Sequence, residues 1–403
     1  MRVLVFDEWL PWPLECGKKI RTFNLLANLA ARHEILYLSY VNLPEEREKI
    51  RVLEEKGIHV IPVDDQRTPK WTLFFYLKVL RNFFSKEPFS SDYHINPNFI
   101  QKMLEVVQKE KPDLLHCEWT NLAPLLGYVT NIPRVIASHN VESDIWKRLA
   151  ENSRNPFTRV LANQQSKKIM RLEREWYPKV EHCTAVSSED EKVISSYGAR
   201  VSVVENGVDI ERYDARNAAP QEVDRNRLIF TASFETFSNQ DAVDFLVEAI
   251  FPLVIRQNPK VNLWIVGKDP SKKIKNYARK HSQVYVTGTV PDVRDYILKS
   301  AICVVPIRIA GGSRLKIVEA LALKKPVIST TIGAEGLRVK DDENILLADT
   351  PKDFADKLLA LLNDPGKQKS LGRAGWELVR TNYDWKVLAE KQSEIWTSLM
   401  PQR

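Results

Sequence analysis

No apolar run in the 403 residues reaches the roughly 18 residues that a membrane-spanning helix requires. The opening Met1-Arg2-Val3-Leu4-Val5-Phe6-Asp7 lacks the long apolar core and small-residue site of a cleavable signal, so it reads as a first strand. Secretion and membrane spanning are therefore not expected. Cysteine is scarce: Cys16, Cys117, Cys183 and Cys303 lie far apart with no Cys-x-x-Cys pair, which argues against a disulfide framework or a zinc site and fits a reducing cytoplasm. The seven histidines show no metal-ligand spacing. Neither Gly-x-x-x-x-Gly-Lys-Ser/Thr nor Gly-x-Gly-x-x-Gly occurs, which takes weight from phosphate-loop hydrolases and simple dinucleotide enzymes.

What is present is an ordinary globular composition, 44% hydrophobic and 28% charged, on a chain long enough for two or three domains. The net charge of +7 is uneven. Residues 1–210 hold 29 basic and 28 acidic side chains; the remainder hold 30 and 24. A basic second half suits an anionic ligand such as a nucleotide diphosphate, or is a solvated face with no partner.

Short β-rich runs alternate with helical patterns along the first half, the signature of βαβ units and a parallel sheet. Strands are predicted at residues 2–6, 34–39, 59–62, 114–117, 134–138, 182–186 and 201–204, with amphipathic helices at 20–31 and 100–110 among the intervening segments. After Glu205-Asn206-Gly207-Val208-Asp209 the chain turns polar, and Ala218-Ala219-Pro220 marks a linker. A second series follows at 228–232, 262–266, 284–287, 302–306 and 326–329. The fold class is α/β, with two doubly wound halves: residues 1–210 and 211–384. A final helix, residues 385–399 within the segment 385–403, has no strand after it. Ligands of such folds bind beyond the carboxyl ends of the strands, so the strand-to-helix loops are the places to look.

The most informative of these is Gly311-Gly312-Ser313-Arg314-Leu315-Lys316-Ile317-Val318-Glu319-Ala320-Leu321-Ala322, which follows an apolar strand and opens a helix. Gly311 and Gly312 let backbone N–H groups approach an anion at the helix N-terminus, and Arg314 and Lys316 add positive charge. Glu319 is placed to accept two hydrogen bonds from a ribose diol, or else complements the helix dipole. In the first half, Gly17-Lys18-Lys19-Ile20-Arg21 follows the first strand and either holds phosphate or forms a surface loop. Ser138-His139-Asn140-Val141-Glu142-Ser143 closes another strand. A histidine at that edge donates to a phosphate or sugar hydroxyl, or is structural.

With Asn206-Gly207-Val208-Asp209 at the hinge, Val266-Gly267, and Pro326-Val327-Ile328 behind the glycine stretch, these segments resemble glycosyltransferase family four over essentially the full length. These are retaining nucleotide-sugar enzymes of GT-B fold. The chain is most similar to the bacterial polysaccharide-locus branch. The resemblance implies two Rossmann-like domains facing a central cleft, the second holding a nucleotide diphosphate sugar and the first presenting the acceptor. The C-terminal helix crosses back to the first domain. It also implies transfer of a sugar to a hydroxyl of a glycan or lipid-linked acceptor in cell-surface polysaccharide biosynthesis, with retention. His139 matches the active-site histidine near the transferred sugar, and Glu319 the glutamate holding the donor ribose. Asp292, in Val290-Pro291-Asp292, lies where the base is read.

On this reading Gly17, Gly311, Gly312, Ser313, Arg314, Lys316, Glu319 and Asp292 serve the donor, and Lys18, Arg21 and Glu142 lie on the acceptor side. No Asp-x-Asp motif is present, so neither metal nor cofactor is expected. The partners expected are a nucleotide sugar, a glycan or lipid-linked acceptor and the inner-leaflet membrane surface, without nucleic acid. Two departures from the family pattern stand out. Gly311 occupies the position of a glutamate that contacts the donor sugar, and residues 232–240 lack the usual Arg and Lys. The alternatives are a sugar-nucleotide-binding protein that has lost activity and a GT-B epimerase or phosphorylase. Finally, residues 66–91 hold five basic residues, one acid and seven aromatics, a composition suited either to the membrane interface or to a helix covering the first domain's core.

Overall fold

The computed structural model describes residues 1–42, 44–153, 155–213, 222–309 and 315–401. The chain divides into two compact units, Met1–Glu205 with Leu388–Arg403, and Asn206–Val387.

In the first unit a seven-stranded parallel sheet is built from β1 (Arg2–Asp7), β2 (Glu34–Val41), β3 (Ile58–Asp64), β4 (Leu114–Cys117), β5 (Arg134–Ala137), β6 (His182–Ala185) and β7 (Val201–Val203). Its order is β3-β2-β1-β4-β5-β6-β7. β1, β4, β5 and β6 are almost wholly buried, which is why they read as apolar runs rather than as alternating patterns. The helices are α1 (Gly17–Leu29), α2 (Arg47–Glu54), α3 (Leu73–Phe83), α4 (Phe89–His94), α5 (Pro97–Glu110), α6 (Glu142–Asn152), α7 (Pro156–Trp176) and α8 (Ser188–Ser196). Their boundaries follow local chemistry. Asn96 caps α5 with Pro97 behind it, and Lys111 closes that helix in the left-handed region at φ 48°. Leu4, Phe6, Leu36, Leu38, Phe99, Leu115 and Ile136 are among the side chains of the core.

The second unit carries β8 (Asp224–Thr231), β9 (Asn262–Val266), β10 (Val284–Gly288), β11 (Ser300–Val305), β12 (Val327–Ser329) and β13 (Leu346–Leu347) in the order β10-β9-β8-β11-β12-β13. Its helices are α9 (Phe237–Phe245), α10 (Phe251–Gln257), α11 (Lys272–Lys280), α12 (Val293–Leu298), α13 (Leu315–Ala322), α14 (Pro351–Leu362), α15 (Pro365–Asn382) and the start of α16 (Trp385–Ser398). The two-residue β13 was not anticipated; a strand that short leaves no periodic pattern.

From Leu388 onward α16 belongs to the first unit. There Trp396 is fully buried, Ser393 Oγ lies 2.7 Å from His33 Nε2, and Lys391 pairs with Glu205 at 3.1 Å. No described helix is long and apolar enough to cross a membrane.

Candidate functional site

In each sheet the strand order reverses direction at one place, between β1 and β4 in the first unit and between β8 and β11 in the second. The helices that follow the two adjoining strands leave on opposite faces there, and a crevice opens beyond the strands' carboxyl ends. Most of the described candidate residues sit at these two edges.

At the edge of the second unit, Glu319 lies on the second turn of α13 and accepts a hydrogen bond from the Tyr213 hydroxyl at 2.8 Å. Burial raises its pKa, and the Tyr213 hydroxyl opposes that rise. Tyr213 stands beneath the Arg294 guanidinium at 5.8 Å from its ring centroid. Arg294 is held in turn by Asp292, which caps α12 and accepts from Arg294 N–H at 2.9 Å, and it donates to the Arg212 carbonyl. Asp292 is thus joined to Glu319 through Arg294 and Tyr213, two residues that motif spacing did not single out.

Lys316, the second residue of α13, donates to Asn239 Oδ1 at 2.6 Å and lies 5.0 Å from the Phe230 ring centroid. Asn239 also donates to the Ser233 carbonyl at 2.6 Å, so Lys316 is tied to the loop after β8. A second cation reaches that loop, Lys268, which pairs with Glu235 at 3.2 Å. Gly267 makes the close approach possible. Its φ is 146°, and a Cβ there would lie 1.7 Å from the Ala232 carbonyl oxygen. Gly311, Gly312, Ser313 and Arg314 lie outside the described residues.

At the edge of the first unit, acids from two neighbouring strand ends face cations and histidines. Lys18, in the first turn of α1, donates to Asp7 Oδ1 at 2.6 Å and Glu8 Oε1 at 3.0 Å. Burial opposes its charge, but the two carboxylates outweigh this and raise its pKa. Asp7 also accepts from the Tyr37 hydroxyl at 3.0 Å. Gly17 is the first residue of α1, whose preceding Cys16 makes no side-chain cap.

Glu118, just past β4, is 2% exposed and accepts from His139 Nε2 at 2.8 Å. Burial alone would raise its pKa; the charges and hydrogen bond of His139, with His116 and Arg21, hold it at about 2. On the other side His116 is held down at about 4, chiefly by burial. Its Nδ1 accepts from Trp396 Nε1–H at 3.2 Å, so the neutral ring carries its proton on Nε2, which faces Glu118 at 3.9 Å. A small cavity behind this chain is lined by Arg21, His116, Glu118, Gln392 and Trp396. Glu142 opens α6 and accepts from Trp119 Nε1 at 3.3 Å, and burial raises its pKa.

Arg21 lies on the inward side of α1, beside the cavity that Glu118 and His116 line. It is 2% exposed, on the face of α1 that buries Leu25 and Leu29, and its Nη1 donates to the Glu205 carbonyl at 2.7 Å. One helical turn beyond Lys18, it points inward and holds α1 to the segment leaving β7. Asp7, Glu8 and Glu118 were missed by motif reasoning, although each follows an apolar strand directly, which is a usable signal in a parallel sheet. Among the described residues no three His, Cys, Asp or Glu side chains are grouped to hold a metal ion.

Comparison with known proteins agrees with this architecture. Residues 19–212 match the family described as Glycosyltransferase Family 4, and residues 225–364 match Glycosyl transferases group 1. The chain is a glycosyltransferase of the family 4 type, with the GT-B fold. It is 28% identical over 305 residues to an uncharacterised glycosyltransferase of Methanocaldococcus jannaschii, covering 73% of this chain and 77% of that one. It is 24% identical over 215 residues to the GDP-mannose-dependent monoacylated alpha-(1-6)-phosphatidylinositol monomannoside mannosyltransferase of Corynebacterium glutamicum, covering 47% and 54%. A protein of the cps region of Klebsiella pneumoniae is 21% identical over 166 residues, covering 40% and 43%. Among solved structures, Anabaena HepE in complex with UDP and glucose superposes with TM-score 0.66 at 15% identity, over 99% of this chain and 100% of that one.

Proposed function

We propose that this glycosyltransferase moves a sugar from a nucleotide diphosphate donor to a hydroxyl of a glycan or lipid-linked acceptor, with retention of configuration, in cell-surface polysaccharide biosynthesis. It works as a peripheral enzyme at the cytoplasmic face of a membrane. The observation that carries the donor reading is Glu319, seated at the switch point between β8 and β11 and fixed by Tyr213. A carboxylate held there accepts from ribose hydroxyls, and Lys316 supplies positive charge near the loop after β8 for a diphosphate. The neighbour crystallised with UDP and glucose supports a nucleotide sugar, and the relatives in mannoside and cps contexts support a lipid-linked or polysaccharide acceptor.

The chemistry is electrostatic. The sugar C1–O bond to the diphosphate breaks as the acceptor oxygen bonds to C1, and the acceptor proton passes to the departing phosphate oxygen. His139, oriented by Glu118, serves the transferring sugar or its phosphate.

The test is a thermal-shift screen of UDP- and GDP-sugars, followed by turnover with glycan and lipid-linked acceptors and NMR assignment of the product anomer. A donor that raises Tm and gives an anomer of the donor's configuration is the expected result. Tight donor binding without turnover across the acceptors overturns the transferase step, and an inverted anomer overturns retention.

A further inference from the structure

Helix α3 is built with its greasy side outward. Leu73, Leu77, Leu80 and Phe84 recur at helical spacing along one stripe, and they are 72%, 52%, 60% and 83% exposed. The residue of α3 that is buried is polar: Asn82, 1% exposed, whose carbonyl accepts from Lys168 and whose side chain meets Gln165 Nε2 at 3.2 Å. An ordinary amphipathic helix turns its apolar stripe to the core and its polar groups to water. Here α7 holds α3 by Asn82, and the apolar stripe is left unpartnered among the described residues.

The uncovered surface continues beyond α3. Gln164 of α7 donates to the Phe83 carbonyl, and Phe157 and Val160, two turns and one turn earlier on the same face, are 75% and 57% exposed. At the other end, Trp71 (78% exposed) sits at φ 68°, an uncommon conformation for a bulky residue. Side chains of this size at these exposures leave on the order of 700 Å² of apolar surface open, more than a monomer ordinarily shows in one patch.

Charge identifies the occupant. Lys70 and Lys86 are exposed around the stripe, Arg81 is exposed and pairs with Asp92 at 3.6 Å, and residues 66–91 themselves contain a single acid, Glu87. A second copy of this chain docked through the same face would bring these cations against their own kind. Anionic lipid headgroups are attracted to them, and the stripe, flanked by Trp71, matches the apolar depth just below the headgroups.

We infer that the outward stripe of α3, with Phe157 and Val160 of α7, docks the protein onto a bilayer surface rich in anionic headgroups. The inference rests on the reading of a lipid-linked acceptor for its biological occasion, and it names the face that meets the membrane. It places the first unit's acceptor-side loops on a protein already held at the lipid surface.

The test is flotation of the full-length protein with vesicles of phosphatidylcholine alone and with 30% phosphatidylglycerol, without donor or acceptor. The expected result is binding to the anionic vesicles that weakens by tenfold or more between 50 and 500 mM salt. Leu77→Ser with Leu80→Ser should reduce it at least tenfold with Tm unchanged, because both side chains already face water. Lys70→Glu with Lys86→Glu should remove the preference for phosphatidylglycerol. No binding to either vesicle overturns the inference, as does binding that survives the double serine variant. Concentration-dependent dimers abolished by that variant, with vesicle binding absent, overturn it in favour of a second copy. Release of UDP from a UDP-sugar with a soluble acceptor is read separately in the same variant. It is expected to be unchanged, so a failure of docking and a failure of the transferase reading are seen apart.

Discussion

Glu118 and His139 leave neighbouring strands and meet at 2.8 Å, carboxylate oxygen to ring Nε2. Because Glu118 is held ionised down to a pKa of about 2, Nε2 of His139 carries the proton that bridges them. The bond commits Nε2 of the ring to Glu118.

Glu118→Gln keeps the shape of this contact but removes the charge. We expect kcat to fall at least tenfold while UDP affinity, which the proposed donor site assigns to the second unit, stays within about twofold. The same split is expected for His139→Ala. Lower thermal stability with unchanged activity per folded molecule would show that the pair is only structural.

Trp396→Phe tests the reach of α16 into this site. A six-membered aromatic ring remains, but the fully buried side chain loses the indole's five-membered ring and His116 Nδ1 loses its donor, which together cost about 1–3 kcal/mol in urea unfolding. A cost below 0.5 kcal/mol would mean that the indole N–H adds nothing beyond packing.

Glu319→Gln should weaken UDP binding by about tenfold, the loss of roughly 1.5 kcal/mol of charge-assisted acceptance. Tyr213→Phe removes the donor that holds the carboxylate and should weaken binding by a smaller factor. Titration calorimetry decides it, and unchanged affinity in both variants would move the ribose elsewhere.

Lys316→Ala separates phosphate from nucleoside recognition. If its ammonium meets the diphosphate, the variant loses most of the preference for UDP over uridine and keeps uridine affinity. Equal losses for both ligands would assign Lys316 to holding Asn239 and the loop after β8.

Glu173 gives a pH dependence. It is fully buried and accepts from Ser143 N–H at 3.1 Å and from the Ser143 hydroxyl; burial pushes it up to about 7. The folded state therefore holds the proton more tightly than the unfolded chain. The stabilisation is full below the unfolded carboxyl pKa near 4.5 and is lost as pH rises through about 7. From pH 5 to 8 this group should cost the wild type about 2 kcal/mol. Glu173→Gln, which keeps both contacts with Ser143, should remove that decline. An identical pH profile in the variant would rule the assignment out.

Much of the site was legible because a parallel sheet puts its ligand loops at strand ends, and those ends can be read from the sequence. His139, Lys18, Glu319 and Asp292 all fall there. Tyr213 and Trp396 were not legible. Tyr213 lies 106 positions from Glu319 and Trp396 lies 280 from His116, and no local pattern reports pairings of that kind.

The sequence by itself determined the α/β class and the positions of most strands, since segments buried on both faces must be apolar throughout. Only the tertiary structure decided the direction in which each amphipathic helix turned. Periodicity gives α1 and α3 a polar and an apolar side, yet Arg21 points inward to the Glu205 carbonyl and the leucines of α3 point to water. A helix's own hydrogen bonds are satisfied at any rotation about its axis. Its orientation is set by the neighbours that its residues bond: the Glu205 carbonyl, which accepts from Arg21 of α1, and Gln165 and Lys168, which donate to Asn82 of α3.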